Sequence, residues 1–125
     1  MSIQNILKKK NVSIWGFGYL GYTAALKMQE HGFNVKIFDY DPNRFSAFEK
    51  RQYPGINQRN HWSLMNSIPD LDREKITFCT KPEPMFVDSM IHLIAVPIID
   101  KGKAKGLNLK DLAKIFVNNV SPDTV

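Results

Sequence analysis

Residues 12–21 read Val-Ser-Ile-Trp-Gly-Phe-Gly-Tyr-Leu-Gly. A β-prone apolar run feeds directly into three glycines spaced as Gly-x-Gly-x-x-Gly, and a helix-forming stretch from about Leu20 to Glu30 follows. Few sequences restrict a fold as much as this one. Gly16 permits a tight turn out of a strand, Gly18 removes the Cβ where a ligand must approach the backbone, and Gly21 lets the helix lie close on the strand. His31-Gly32 ends the helix, and Asn34-Val35-Lys36-Ile37-Phe38 reads as a second strand finishing at Asp39. Asp39 lies 23 positions after the first glycine (39 − 16). That is about the spacing at which an acid meets a ribose diol in dinucleotide-binding βαβ units. A glycine-rich turn in some other α/β protein is the competing reading, but strand, helix and terminal acid together favour the dinucleotide.

The rest of the chain continues the alternation. Residues 1–10 form a helical or irregular lead-in. Leu20, Ala24 and Met28, with Ala25 beside them, make an apolar stripe suited to a sheet face, Met28 as core filler. Asp41-Pro42 is a good helix start, an acidic N-cap before a first-turn proline, and predicts a helix to about Arg51 with Phe45 and Phe48 in the core. Tyr53-Pro54-Gly55 reads as a turn, and His61–Ile68 as a short helix. Lys75–Cys79 reads as a third strand, with a brief helical turn within 82–89. Met90–Val96, nearly all apolar, suits a parallel strand buried on both faces and stopped by Pro97. Leu109–Val117 carries Leu109, Leu112, Ala113 and Phe116 at helical spacing. The order implies an α/β fold: a Rossmann-like, doubly wound, mainly parallel sheet forming a single domain over residues 1–125. Strands one and two are then neighbours, with the switch point above Gly16.

Composition narrows the function classes. With 125 residues, 43% of them hydrophobic, the chain is long enough for one real core. It contains no apolar run long enough to span a bilayer and no signal peptide pattern, so no membrane partner is expected. The single cysteine excludes an internal disulfide framework and suits a reducing compartment, which makes a cytoplasmic location the expectation. The net charge is +5, yet the basic residues are scattered apart from Lys8-Lys9-Lys10, and aromatics are not interleaved with them; nucleic acid is not an expected partner.

Other chemistries lack their residues. His31, His61 and His92 stand about thirty positions apart, so no pair has local metal-ligand spacing. His31 reads as a helix-end residue and His92 as a hydrogen-bonded core histidine in a strand. There is no nucleophile elbow and no Gly-Lys-Ser/Thr phosphate loop. Cys79 falls inside the third strand and reads as a small buried hydrophobe, so no catalytic residue is assigned.

The Gly-Tyr-aliphatic-Gly form at 18–21, the Phe-Asp-Tyr-Asp strand end at 38–41 and Ile94-Ala95-Val96-Pro97 resemble the N-terminal NAD-binding domain of the UDP-glucose/GDP-mannose dehydrogenase family. The likeness extends from about Val12 to Val117 and includes Asn108-Leu109-Lys110-Asp111-Leu112. Two departures stand out: Pro97-Ile98-Ile99 replaces a Pro-Thr-Pro run, and the family's Glu-Pro-Gly-Leu loop is not recognisable around residues 53–65. The resemblance implies NAD as cofactor. Gly16, Gly18, Gly21 and the backbone of Tyr19 and Leu20 would border the pyrophosphate, Asp39 would hold the adenosine ribose, Arg44 would lie near the adenosine end, and Val96 and Pro97 would line the cleft. It also implies a parent oxidoreductase that converts a nucleotide-linked sugar alcohol to a uronate, its cysteine and sugar site lying in a C-terminal half beyond this chain. The nucleotide-sugar substrate would then bind only with that half, and the chain alone would be inactive. Such an isolated half would expose surface open to self-association. Two further readings stay open: a stand-alone, non-catalytic dinucleotide-binding or sensing module, and a domain of another NAD(P)-dependent dehydrogenase.

Overall fold

A computed structural model describes residues 2–39, 41, 43, 45–46, 71–96 and 109–120. The order of elements is α1 (Ile3–Lys9), β1 (Asn11–Trp15), α2 (Tyr19–Glu30), β2 (Asn34–Phe38), β3 (Ile76–Cys79), β4 (Ile91–Ile94) and α3 (Leu109–Asn119). Short 3-10 turns at Arg73–Lys75 and Glu83–Phe86 precede β3 and β4. The strands form one parallel sheet in the order β3-β2-β1-β4. The glycine-bearing turn therefore leaves the strand at which the winding changes direction, with β2 on one side and β4 on the other.

Strand alternation sorts the core into two layers. Val12 and Ile14 of β1 and Val35 and Ile37 of β2 pack with Tyr22, Ala25 and Leu26 of α2. Trp15, Phe38 and Cys79, one position out of phase, pack with Met85 and with Leu112, Ile115 and Phe116 of α3. Successive residues of a strand point to opposite faces, so α2 and α3 cover opposite faces and the sheet is doubly wound. Phe45 joins the α2 layer, and Asp41 accepts the Asn43 N–H through Oδ1 at 3.0 Å, as expected of the N-cap before Pro42. Phe48 and the sequence-predicted elements at 53–55 and 61–68 lie outside the described residues.

Three expectations need correction. The buried stripe of α2 runs through Tyr22, Ala25 and Leu26; Leu20 is 68% exposed, and Ala24 and Met28 are only partly buried. Ala25 is fully buried and Ala24 and Met28 still pack against the core, so only Leu20 departs from the expected stripe, while Tyr22 and Leu26 join it. The fourth strand covers four residues, not seven, and is half-buried rather than buried on both faces. It is an edge strand among the described residues, and Ile94 is exposed. Finally, α3 runs two residues past Val117, to Asn119.

The second face also carries polar groups that the apolar pattern conceals. Ser13 lies in register with Lys36 on one side and His92 on the other. The Ser13 hydroxyl bonds the Met85 carbonyl and the Ser89 hydroxyl, and Lys36 Nζ donates to the carbonyls of Pro84 and Val87. Together they pin residues 84–89 across the amino-terminal half of the sheet. Nearby, the Trp15 indole N–H donates to His92 Nδ1 at 2.9 Å, and His92 Nε2 lies 3.2 Å from the Ser89 carbonyl. These partners fix the neutral ring with its proton on Nε2.

Protonating His92 would set a second N–H against that of Trp15. Burial pushes its pKa down from 6.5 to about 4; the Ser89 carbonyl opposes the shift and the Lys36 charge adds to it. The unfolded chain therefore takes up this proton first as pH falls. The stabilisation is complete above pH 6.5 and is lost as pH drops towards 4. Solvent screening of the partly buried ring keeps the slope below about 1.4 kcal/mol per pH unit. Urea unfolding at pH 7, 6, 5 and 4.5 should show this loss in the wild type and a shallower one in His92→Gln, whose amide can keep both partners. Equal slopes would remove His92 from the account.

Candidate functional site

The carboxyl ends of β1, β2 and β4 converge on the glycine turn. The Gly16 N–H donates to the Phe38 carbonyl at 2.8 Å, and the Ala95 N–H donates to the Trp15 carbonyl at 2.8 Å. Gly16 has φ +100°, and a Cβ there would lie 2.4 Å from the Ala95 carbonyl oxygen and 3.0 Å from Val96 Cγ1. The first glycine is thus required by its backbone angle and by the passing end of β4. A Cβ on Gly21 would lie 1.9 Å from the Gly16 carbonyl oxygen. The third glycine was expected to bring the helix close to the strand; the tightest approach is to the turn, with Ile14 Cγ2 of β1 at 3.7 Å from the same Cβ position.

Gly18 is the N-cap of α2 and brings no side-chain cap; the first turn contains no acidic residue. The first backbone N–H groups of a helix have no acceptor within it, and they carry the positive end of the helix dipole. The opening of α2 is therefore suited to an anion held against the turn. Tyr19 and Leu20 occupy this first turn.

Asp39 follows β2 directly and is only 7% exposed. Its Oδ2 accepts the Phe17 N–H at 2.8 Å and its Oδ1 accepts the Asp41 N–H at 3.0 Å. The carboxylate is thereby fixed beside the turn, not left projecting from a strand end. The structure brings Gly16, Gly18, Gly21, Asp39 and Val96 to one end of the sheet, with the backbone of Tyr19 and Leu20. Arg44 and Pro97, the other sequence-predicted site residues, lie outside the described residues.

Sequence reasoning missed Phe17 and Ala95. Phe17 counted only as a spacer between glycines. Its ring is fully buried, 5.9 Å from Tyr22, 5.8 Å from Phe45 and 5.5 Å from Phe78, while its N–H engages Asp39. A large apolar residue between two glycines was the available signal, since a solvent-facing turn has little use for one. Ala95 acts through its backbone, which leaves no trace in residue type.

Cys79 is buried, and burial pushes its thiol pKa up while Lys36 partly opposes the shift. This is the opposite of an activated thiolate, in keeping with its reading as a small core residue. His31 is the C-cap residue of α2, as expected. Among the described residues, no group of three or more His, Cys, Asp or Glu could hold a metal ion, and no helix is long and apolar enough to cross a membrane.

No protein-family model matches the chain, and no curated protein matches it. Solved structures do. A diketoreductase, described as acting on dicarbonyl compounds by substrate-directed dual catalysis, superposes with a TM-score of 0.62 at 20% identity over 93% of this chain. FadB2 of M. tuberculosis superposes with a TM-score of 0.59 at 19% identity, again over 93% of this chain. The chain spans 40% and 39% of their respective lengths. At this identity the likeness is one of fold, and the fold is Rossmann-like.

Proposed function

We propose that the chain is an NAD-binding domain of a dehydrogenase or reductase. The observation that carries the reading is the joint placement of the uncapped α2 N-terminus and the Asp39 carboxylate around one glycine turn. The two are chemically matched to different parts of one ligand. The N–H groups over Gly18–Gly21 would take the pyrophosphate, and Asp39 would take the adenosine ribose diol. Val96, two residues past β4, would border the cleft. Asp39 and Asp41 place negative charge where a 2′-phosphate would sit, which favours NAD over NADP. When bound, the nicotinamide supplies the hydride chemistry. The residues of this chain bind and orient the cofactor, and none of them is assigned a proton transfer.

A finer reading assigns the parent enzyme to the nucleotide-sugar dehydrogenases, oxidising a UDP- or GDP-linked sugar alcohol to a uronate. Its support is the Gly-Tyr-Leu-Gly turn, the Phe-Asp-Tyr-Asp strand end and the Ile-Ala-Val-Pro segment. Reduction of NAD by the full-length protein supplied with UDP-glucose or GDP-mannose tests this level; turnover with neither sugar nucleotide would discard it.

The cofactor itself is tested by calorimetric titration with NAD and NADP. Saturable NAD binding is expected, with NADP at least tenfold weaker and Asp39→Ala losing tenfold or more for NAD. Equal affinity for the two cofactors would overturn the role of Asp39, and binding of neither up to millimolar concentration would overturn the reading.

A further inference from the structure

The contacts of Asp39 exceed those a ribose-binding acid needs. The turn is tied to the end of β2 at two successive peptides. The Gly16 N–H bonds the Phe38 carbonyl at 2.8 Å, and the Phe17 N–H bonds Asp39 Oδ2 at 2.8 Å. On its other side Asp39 accepts the Asp41 N–H, which holds the carboxylate in one orientation. The Phe17 ring is anchored in the α2 layer of the core. The peptide between Gly16 and Phe17 is therefore gripped from the sheet side by the carboxylate and from the helix side by an aromatic ring. Gly18, the N-cap of α2, follows immediately. The direction in which the α2 N–H groups point depends on that peptide.

We infer that Asp39 is a positioning residue that holds the glycine turn in its anion-binding shape, through the Phe17 N–H, before any ligand arrives. A ligand without a ribose diol should therefore also depend on it. An ionised carboxylate supplies acceptors only, on two oxygens, whereas an asparagine amide replaces one oxygen with a donor. Asp39→Asn keeps the size of the side chain but puts a donor in place of one of the two oxygens that accept the Phe17 and Asp41 N–H groups.

The inference rests on the dinucleotide reading, and the experiment separates the two. The probes are ADP and 2′,3′-dideoxy-ADP, which keeps the adenine and diphosphate but lacks both ribose hydroxyls. Wild-type protein should bind both, and Asp39→Asn should weaken both by tenfold or more. If Asp39 served the diol alone, the variant would bind dideoxy-ADP as tightly as the wild type does, and the inference would fall. Wild-type protein that binds neither probe would overturn the dinucleotide reading and this inference with it. Amide hydrogen exchange supplies a second readout that needs no ligand. In Asp39→Asn the Phe17 amide should exchange at least tenfold faster while the amides of β1 and β2 keep their protection. A uniform rise across the sheet would indicate lost fold, not a released turn, and would also overturn the inference.

Discussion

Gly21→Ala should destabilise the protein by about 3 kcal/mol or more, beyond the usual ~1–3 kcal/mol cost of an overpacked methyl group. The sign of this result is informative. Inside a helix, exchanging glycine for alanine normally gains roughly 0.5–1 kcal/mol through backbone entropy. Position 21 lies within α2, so helix propensity alone predicts stabilisation. The added Cβ, however, would stand 1.9 Å from the Gly16 carbonyl oxygen and 3.0 Å from its carbon. Both are backbone atoms of a turn already bonded to Phe38, so neither can yield without opening the turn or shifting the helix. Gly32→Ala is the matched control. Gly32 has φ +84°, but its Cβ would meet only the flexible end of Lys10, 3.4 Å away. Its cost should stay near the ~1–2 kcal/mol of a left-handed residue. Denaturant titrations followed by circular dichroism measure both, and a Gly21→Ala loss no larger than that of Gly32→Ala would contradict the packing account.

Trp15→Ala should cost about 3–5 kcal/mol, the range for removing a large buried aromatic. Trp15 is fully buried, and its ring centroid lies 5.4 Å from those of Phe38 and Phe86 and 5.2 Å from that of Phe116. It touches β2, the 83–86 turn and α3 together, so its loss opens a void where three elements meet. His92 also loses the N–H that Nδ1 accepts. Against a total stability of roughly 5–15 kcal/mol, this is enough to populate the unfolded state visibly on modest heating. Trp15→Phe keeps an aromatic ring and should lose about half as much. Guanidinium unfolding at pH 7 reports both values. If alanine and phenylalanine cost the same, the indole N–H bond to His92 would outweigh the packing.

Particular residues show how much of this was legible in the sequence. The glycine turn carried its own constraints, because Gly16 and Gly21 each exclude a Cβ for a separate geometric reason, and the strand and helix around it formed as their patterns require. β2 runs from Asn34 to Phe38, as its composition indicated. The 90–96 run was harder to read, because an apolar stretch looks the same in an interior strand and in an edge strand whose side chains are covered by loops. On α2 the expected stripe held at Ala24, Ala25 and Met28 and failed at Leu20, because residue type alone did not show that the buried face runs through Tyr22 and Leu26. The polar row of Ser13, Lys36 and His92 was present all along as the positions alternating with Val12, Ile14, Val35, Ile37, Ile91 and Leu93. Its role was hidden because its partners are mostly carbonyls of residues 84–89, and sequence does not show where a distant carbonyl falls. At the glycine turn, residue type pointed to the glycines and Asp39 but not to the bonds that tie the turn to the end of β2, Gly16 to the Phe38 carbonyl and Phe17 to Asp39.

The two faces of the sheet also differ in when they can be completed as the chain emerges from synthesis. Residues 11–38 contain β1, α2 and β2, so one face acquires its helix as soon as this short unit is made. The other face must wait. Ser13 finds Met85 and Ser89 only 72 and 76 residues later, and Trp15 finds His92 after 77. Until then Trp15 and Phe38 lack the packing of Met85 and Leu112, and apolar surface of this kind draws partly made chains together. The part of the protein that makes the glycine turn is made early, and the residues that shelter its reverse side come later.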